Sequence, residues 1–216
     1  MAKPPSGGGR IVGEPSRTPT SSTHPSTQRT RTMIRYIALC GAPKAGKTEI
    51  ARILERDWKV EQVDDKGPLR DAVRTLYGLT DWHVDTQEGK AALVDVGGKQ
   101  VDVRTLLGEL GLYMEKDDPH HFARLALREV QASGRKGPFC FPSVRHDQAK
   151  VFKATGEALV IEVVRPGCAV VNGFDWYDPS LADVQLHNTW KGRGSITKLE
   201  DAIAAIVEPY LGKIEA

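Results

Sequence analysis

Tyr36-Ile37-Ala38-Leu39-Cys40-Gly41-Ala42-Pro43-Lys44-Ala45-Gly46-Lys47-Thr48 decides how the rest of this 216-residue chain is read. Five mostly apolar residues ending on a glycine suit a short strand buried on both faces of a parallel sheet. The eight residues that follow, Gly41 to Thr48, satisfy the pattern GxxxxGKT. Glycines let successive backbone N–H groups turn inward around an anion, the lysine reaches the β and γ phosphates of a nucleotide, and the hydroxyl takes magnesium. Gly41, Ala42, Pro43, Lys44, Ala45, Gly46, Lys47 and Thr48 are therefore the expected ATP-binding residues, with Lys47 also catalytic and Thr48 the Mg2+ ligand. Thr48 to Asp57 carries Ile50, Ile53 and Leu54 at helical spacing, so a helix starts at the loop and points its positive end at the phosphates.

Working outward, Val60 to Val63 reads as a second short strand. Pro68 near a helix start and Gly78 past its end bracket a helix with Leu69, Ala72, Val73 and Leu76 inward. Residues 79 to 101 read as irregular, with Gly97-Gly98 as a turn. Helices are expected over Val103 to Met114 and from Asp118-Pro119 onward, strands at Phe139 to Phe141 and Ala158 to Val164, and a helical stretch over Asp147 to Thr155. A weaker strand at Val184 to Leu186 and a final helix at Leu199 to Leu211 complete the pattern. Strands alternating with helices predict an α/β fold, a parallel sheet covered on both faces, of the P-loop NTPase type.

Upstream, residues 1 to 32 are rich in Pro, Gly, Ser and Thr and poor in large apolar side chains, which predicts a disordered tail ahead of a P-loop domain at 33 to 216. An organellar transit peptide and translation from Met33 are alternative readings of the same segment. Its five cations against Glu14 give it a charge of +4, so with +2 overall the rest of the chain carries about −2. A domain without basic excess argues against tight non-specific nucleic-acid binding. Three scattered cysteines supply neither a disulfide framework nor a zinc pair, which fits a reducing cytoplasm. The histidines lack spaced partners, and no structural metal is expected. Trp58, Trp82, Trp176 and Trp190 read mainly as core or rim, with Trp82 or Trp176 the alternatives for stacking on a base.

Five further segments follow the loop in order: Asp65-Lys-Gly-Pro-Leu-Arg70-Asp-Ala, Val103-Arg104-Thr-Leu-Leu-Gly-Glu-Leu-Gly111, Pro142-Ser-Val-Arg145-His-Asp147, Val163-Val-Arg165-Pro-Gly167 and Asp183-Val-Gln-Leu-His-Asn188. Over about residues 34 to 211 the chain resembles the phage deoxynucleoside monophosphate kinases, the T-even type included. The resemblance implies transfer of the γ-phosphoryl of ATP, with Mg2+, to a deoxynucleoside monophosphate on a nucleoside-monophosphate-kinase fold in the host cytoplasm. It implies Arg70 and Arg104 as clamps for the acceptor phosphate, a chemistry that a bidentate guanidinium suits. Arg145 follows a strand at the sheet edge where ligands collect and is expected at the site. Arg165 is expected on a lid-like loop, the two arginines joining Lys47 as catalytic groups. Asn188 matches a position near the nucleotide base. One departure stands out: the family pattern has aspartate where this chain has Ser143, and Asp64, Asp65 and Asp147 are the nearby substitutes. The alternative reading is a P-loop kinase acting on 5-hydroxymethyluracil in phage DNA, which makes DNA a partner. The sequence is also compatible with a homodimer.

Overall fold

The computed structural model describes residues 33–171, 173–189 and 194–212. The tail expected over 1 to 32 and Trp190 lie outside the described residues. Five strands, β1 (Tyr36–Cys40), β2 (Glu61–Gln62), β5 (Phe139–Phe141), β6 (Ala158–Val164) and β7 (Val184–His187), form one sheet in the order β2-β5-β1-β6-β7. Every pairing in it is parallel. The strand that feeds the phosphate loop is thus central, with crossovers running to both sides of it.

Both faces of that strand are buried, which is why it reads as an unbroken apolar run. Ile37 and Leu39 face one layer with Ile50, Ile53 and Leu54 of α1 (Lys47–Trp58) and Leu199, Ile203 and Val207 of α8 (Ser195–Leu211). Tyr36, Ala38 and Cys40 face the other, with Ala123, Ala126 and Val130 of α6 (His121–Ala132) and Phe152 of α7 (Ala149–Lys153). The period-two alternation of a strand sets one residue set against each helical layer.

A third apolar cluster sits apart from these. It joins Leu69 and Val73 of α2 (Gly67–Tyr77), Val84 of α3 (Asp81–Asp85), Val103 and Leu106 of α5 (Val103–Met114), and Phe122. This cluster supports the helices that form the wall opposite the phosphate loop.

The structure corrects the irregular reading of residues 79 to 101. Two short helices, α3 and α4 (Gln87–Lys90), lead into an antiparallel hairpin of β3 (Leu93–Val96) and β4 (Lys99–Asp102), turned at Gly97 and Gly98. Strands with alternating half-burial and helices of four or five residues are too short for a periodic signal. The sixth helix also begins later than Asp118-Pro119. Asp118 accepts from the His120 backbone N–H at 2.9 Å within a turn, and the helix opens at His121.

Candidate functional site

A cleft of about 460 Å³ opens at the C-terminal edge of the sheet, lined on one side by the phosphate loop and on the other by α2, α4 and α5. The loop's shape follows from its residue types. Gly41 (φ 140) and Gly46 (φ 108) occupy backbone conformations that L side chains rarely adopt, and Lys44 stands at φ 65 in the left-handed region. A Cβ at Gly46 would come within 2.5 Å of Asn188 Nδ2, so the glycine is needed for space as well as for conformation.

Lys47 lies within the first turn of α1, and its ammonium donates to the carbonyls of Gly41 at 2.7 Å and Ala42 at 2.9 Å. Burial lowers its pKa to about 8; the Arg145 charge acts in the same direction, and Asp175 opposes them. Thr48 is exposed at the start of the same helix and lines the cleft.

The sequence-predicted residues divide into two groups. Gly41, Pro43, Lys44, Gly46, Lys47, Thr48, Arg70, Arg104 and Arg145 all line the cleft, and Ala42 and Ala45 are buried behind them. Arg70 is held by Asp64 and, at 3.4 Å, by Asp85; Arg104 donates to Gln87 Oε1 at 2.8 Å. Arg165 and Asn188 are not among the lining residues. Arg165 follows β6 on a half-buried stretch. Asn188 is 8% exposed and donates from Nδ2 to the Ala45 carbonyl at 2.9 Å, so its contact is with the phosphate loop from behind.

Three components of the cleft carried no signal in the sequence. Lys66 and Lys90 add cations: the first is buried with its ammonium 4.1 Å from the Phe122 ring centroid, and burial lowers the pKa of both. The repulsion of Arg70 and Arg104 lowers that of Lys90 further. A 3-10 turn over Gly173–Asp175 adds Phe174 and Asp175. The Phe174 ring packs into the notch left by Gly108, where a Cβ would stand 2.6 Å from it. Arg145 ties the turn down, donating to the Phe174 carbonyl at 3.2 Å and pairing with Asp175 Oδ1 at 3.3 Å. Behind Arg145, buried Gln148 accepts from its backbone N–H at 3.1 Å and donates to Glu115 at 2.5 Å. The turn lies 29 residues from Arg145 and has no motif of its own, so only the chain's path after β6 brings it here.

Charge is the dominant property of the cleft. Among the described residues, Lys44, Lys47, Arg52, Lys66, Arg70, Lys90, Arg104 and Arg145 line it against the carboxylates of Glu49 and Asp175. An excess this large, in a described domain that is not basic overall, concentrates positive potential in one concavity and suits polyanionic ligands. Among the described residues no group of three or more His, Cys, Asp or Glu is disposed to hold a metal by itself. The donor set fits a cation that arrives with its nucleotide, as magnesium does, with the Thr48 hydroxyl supplying a protein ligand. Trp82 and Trp176, about half exposed, do not line the cleft, and Trp58 is buried in the core.

Strand order, central loop-bearing strand and cleft together define a P-loop NTPase fold with a parallel sheet between helical layers. No protein-family model matches the sequence, and no curated protein matches it. Among solved structures, the shikimate kinase of Bacteroides thetaiotaomicron is 12% identical with a TM-score of 0.40, covering 80% of this chain and 98% of that one. The shikimate kinase of Acinetobacter baumannii in complex with shikimate is 15% identical at 0.40, covering 83% and 97%. A protein from Thermus thermophilus is 20% identical at 0.42, covering 81% and 97%. Among the described residues no helix is long and apolar enough to cross a membrane.

Proposed function

We propose that the chain is an ATP-dependent kinase that transfers the γ-phosphoryl to a deoxynucleoside monophosphate, giving the diphosphate. The observation that carries this reading is the second set of cations. The phosphate loop and Lys47 account for one polyanion, yet Arg70, Lys90 and Arg104 line the facing wall, on α2, α4 and α5. A neutral alcohol acceptor gives such a wall nothing to bind, whereas a phosphate dianion matches guanidinium groups bidentately.

In this reading Lys47 leaves the Gly41 and Ala42 carbonyls for the β and γ phosphates, and Thr48 takes the magnesium. Magnesium held by the Thr48 hydroxyl would supply neutralisation of the charge that develops on the phosphates. Arg70 and Arg104 hold the acceptor phosphate, a nucleophile already ionised at neutral pH, so no general base is required. Arg145, after the end of β5 on the facing wall, stabilises charge on the group in transfer. Phe174 with Leu69 and Leu107 offers an apolar face for the acceptor's base. Arg165 remains assigned to the loop after β6, reaching the site on closure, and Asn188 supports nucleotide binding through Ala45.

The deciding experiment offers the purified protein Mg-ATP with each deoxynucleoside monophosphate, with 5-hydroxymethyl-dUMP, and with single-stranded or duplex DNA containing 5-hydroxymethyluracil. ADP release with at least one free monophosphate is expected. Phosphate appearing only on DNA, with every free monophosphate inert, would replace this reading by the base-modifying one.

A further inference from the structure

Magnesium-assisted phosphoryl transfer ordinarily uses a carboxylate near the loop hydroxyl to hold the waters of the metal, and residue 143 supplies only a hydroxyl. The three acidic residues that the sequence offers as substitutes are committed elsewhere. Asp147 takes His120 Nε2 and Lys150 Nζ, each at 2.7 Å. Asp64 pairs with Arg70 and accepts from the Lys66 backbone N–H at 3.0 Å. Asp65 is sealed at 4% exposure, 3.7 Å from Lys66 Nζ, where burial pushes its carboxyl up and disfavours the ionised form. None of these three lines the cleft.

Asp175 does line it. The residue is 6% exposed, its Oδ1 is anchored by Arg145, and its Oδ2 is buried with no hydrogen-bond partner among the described residues. A buried oxygen without a partner forfeits its hydration for nothing in return, so native chains keep few of them and usually for a use. Its charge is felt at Lys47, which places it within electrostatic range of the residue that meets the β and γ phosphates. Glu49, the other carboxylate of the cleft among the described residues, has its side chain 42% exposed beside Arg52 and keeps its own hydration, so it lacks that incentive.

The geometry points to Asp175 as the carboxylate that receives the metal of Mg-ATP, working with Thr48 in the office that residue 143 leaves vacant. This rests on the kinase reading above. Arg145 holds one oxygen, and a phosphate competing for that guanidinium would free the side chain to turn toward the metal's waters. The carboxylate thus comes from the segment after β6, where the family pattern has it at the end of β5.

The test titrates Mn2+ into ATP-loaded full-length protein, reading free metal by electron paramagnetic resonance. Asp175→Asn is expected to weaken Mn2+ by ~10–100-fold, the usual effect of losing an outer-sphere partner. Affinity for ATP in EDTA should stay the same or tighten, because a negative charge near the triphosphate is gone. Asp175→Glu should hold the metal nearly as well as wild type, and adding Ser143→Asp to Asp175→Asn should restore much of the loss. Unchanged Mn2+ affinity in Asp175→Asn, with ATP still bound, overturns the assignment. Equal losses in the Asn and Glu variants, accompanied by lower melting temperatures, overturn it too by making Asp175 only a partner of Arg145. A wild-type protein that binds no ATP with or without metal sinks the kinase reading itself, an outcome distinct from the other two.

Discussion

The two walls of the cleft are built in opposite ways. The phosphate-loop wall is eight contiguous residues whose backbone does the work: two glycines at positive φ, a lysine turned back on its own loop, and a helix starting at Lys47. The facing wall is gathered from α2, α4, α5, the end of β5 and the turn at 173–175, and it acts through long side chains. A site made of backbone tolerates few substitutions and costs much when altered. One made of side chains loses affinity residue by residue.

The largest effect that would break this contrast falls on Lys47. Lys47→Ala should lower kcat for ADP release by about 10²–10³-fold, in line with loss of a preorganised charge at the transferring group. Thermal melting should barely move, because the ammonium contacts only two loop carbonyls. Turnover at the wild-type rate would remove the loop wall from catalysis.

Next come the clamps on the facing wall. Arg70→Gln and Arg104→Gln should each raise KM for the monophosphate by roughly 10–100-fold, about 1.5–3 kcal/mol for a charged hydrogen-bonded contact. The KM for ATP should hold within a few-fold. A fall in kcat alone would mean that the contact forms only in the transition state. Equal effects on both substrates would erase the distinction between the walls.

That contrast also explains what the sequence made legible. Strand, loop and helix around residues 36 to 58 were readable because one motif carries the whole local geometry. The central strand, both helical layers and the final helix followed from apolar periodicity long enough to register. Arg70 and Arg104 stood out only through the ordered landmarks of the family resemblance, and Arg145 also through its place after a strand at the sheet edge; the structure puts all three on the cleft. Phe174 and Asp175 were invisible, since a three-residue turn has no period and its place depends on Gly108 and Arg145. The family resemblance puts Asn188 near the nucleotide base, whereas in the structure its amide meets the Ala45 carbonyl behind the loop, a contact that only coordinates can draw.

The pH dependence separates the walls differently. Lys47 has its pKa lowered to about 8, below its unfolded value, so folding disfavours its charged form and the associated stability cost is relieved as pH rises past 8. Phosphate binding needs the charge. ATP affinity should therefore fall by up to about tenfold per pH unit above 8, with proton uptake on binding. Calorimetry in buffers of different ionisation enthalpy measures that uptake. An ATP affinity flat from pH 7 to 9.5, or the same decline in Lys47→Ala, would remove Lys47 as its origin.

The smallest expected effect tests whether the loop wall is backbone all the way down. Asn188→Ala removes one buried donor and leaves the Ala45 carbonyl unpaired, a loss of roughly 1–3 kcal/mol in stability. Its effect on KM for ATP should be only a few-fold, since the amide touches the loop and lies outside the cleft lining. Gly46→Ala should be worse, for two separable reasons: a φ of 108 that alanine resists, and a methyl 2.5 Å from Asn188 Nδ2. Combining the substitutions removes the collision and keeps the backbone strain. If sterics matter, the double variant will bind ATP better than the sum of the single losses predicts, by an interaction of about 0.5–3 kcal/mol, the range for residues in contact. Strict additivity would assign the whole Gly46 requirement to its backbone conformation, with Asn188 a bystander to the loop it touches.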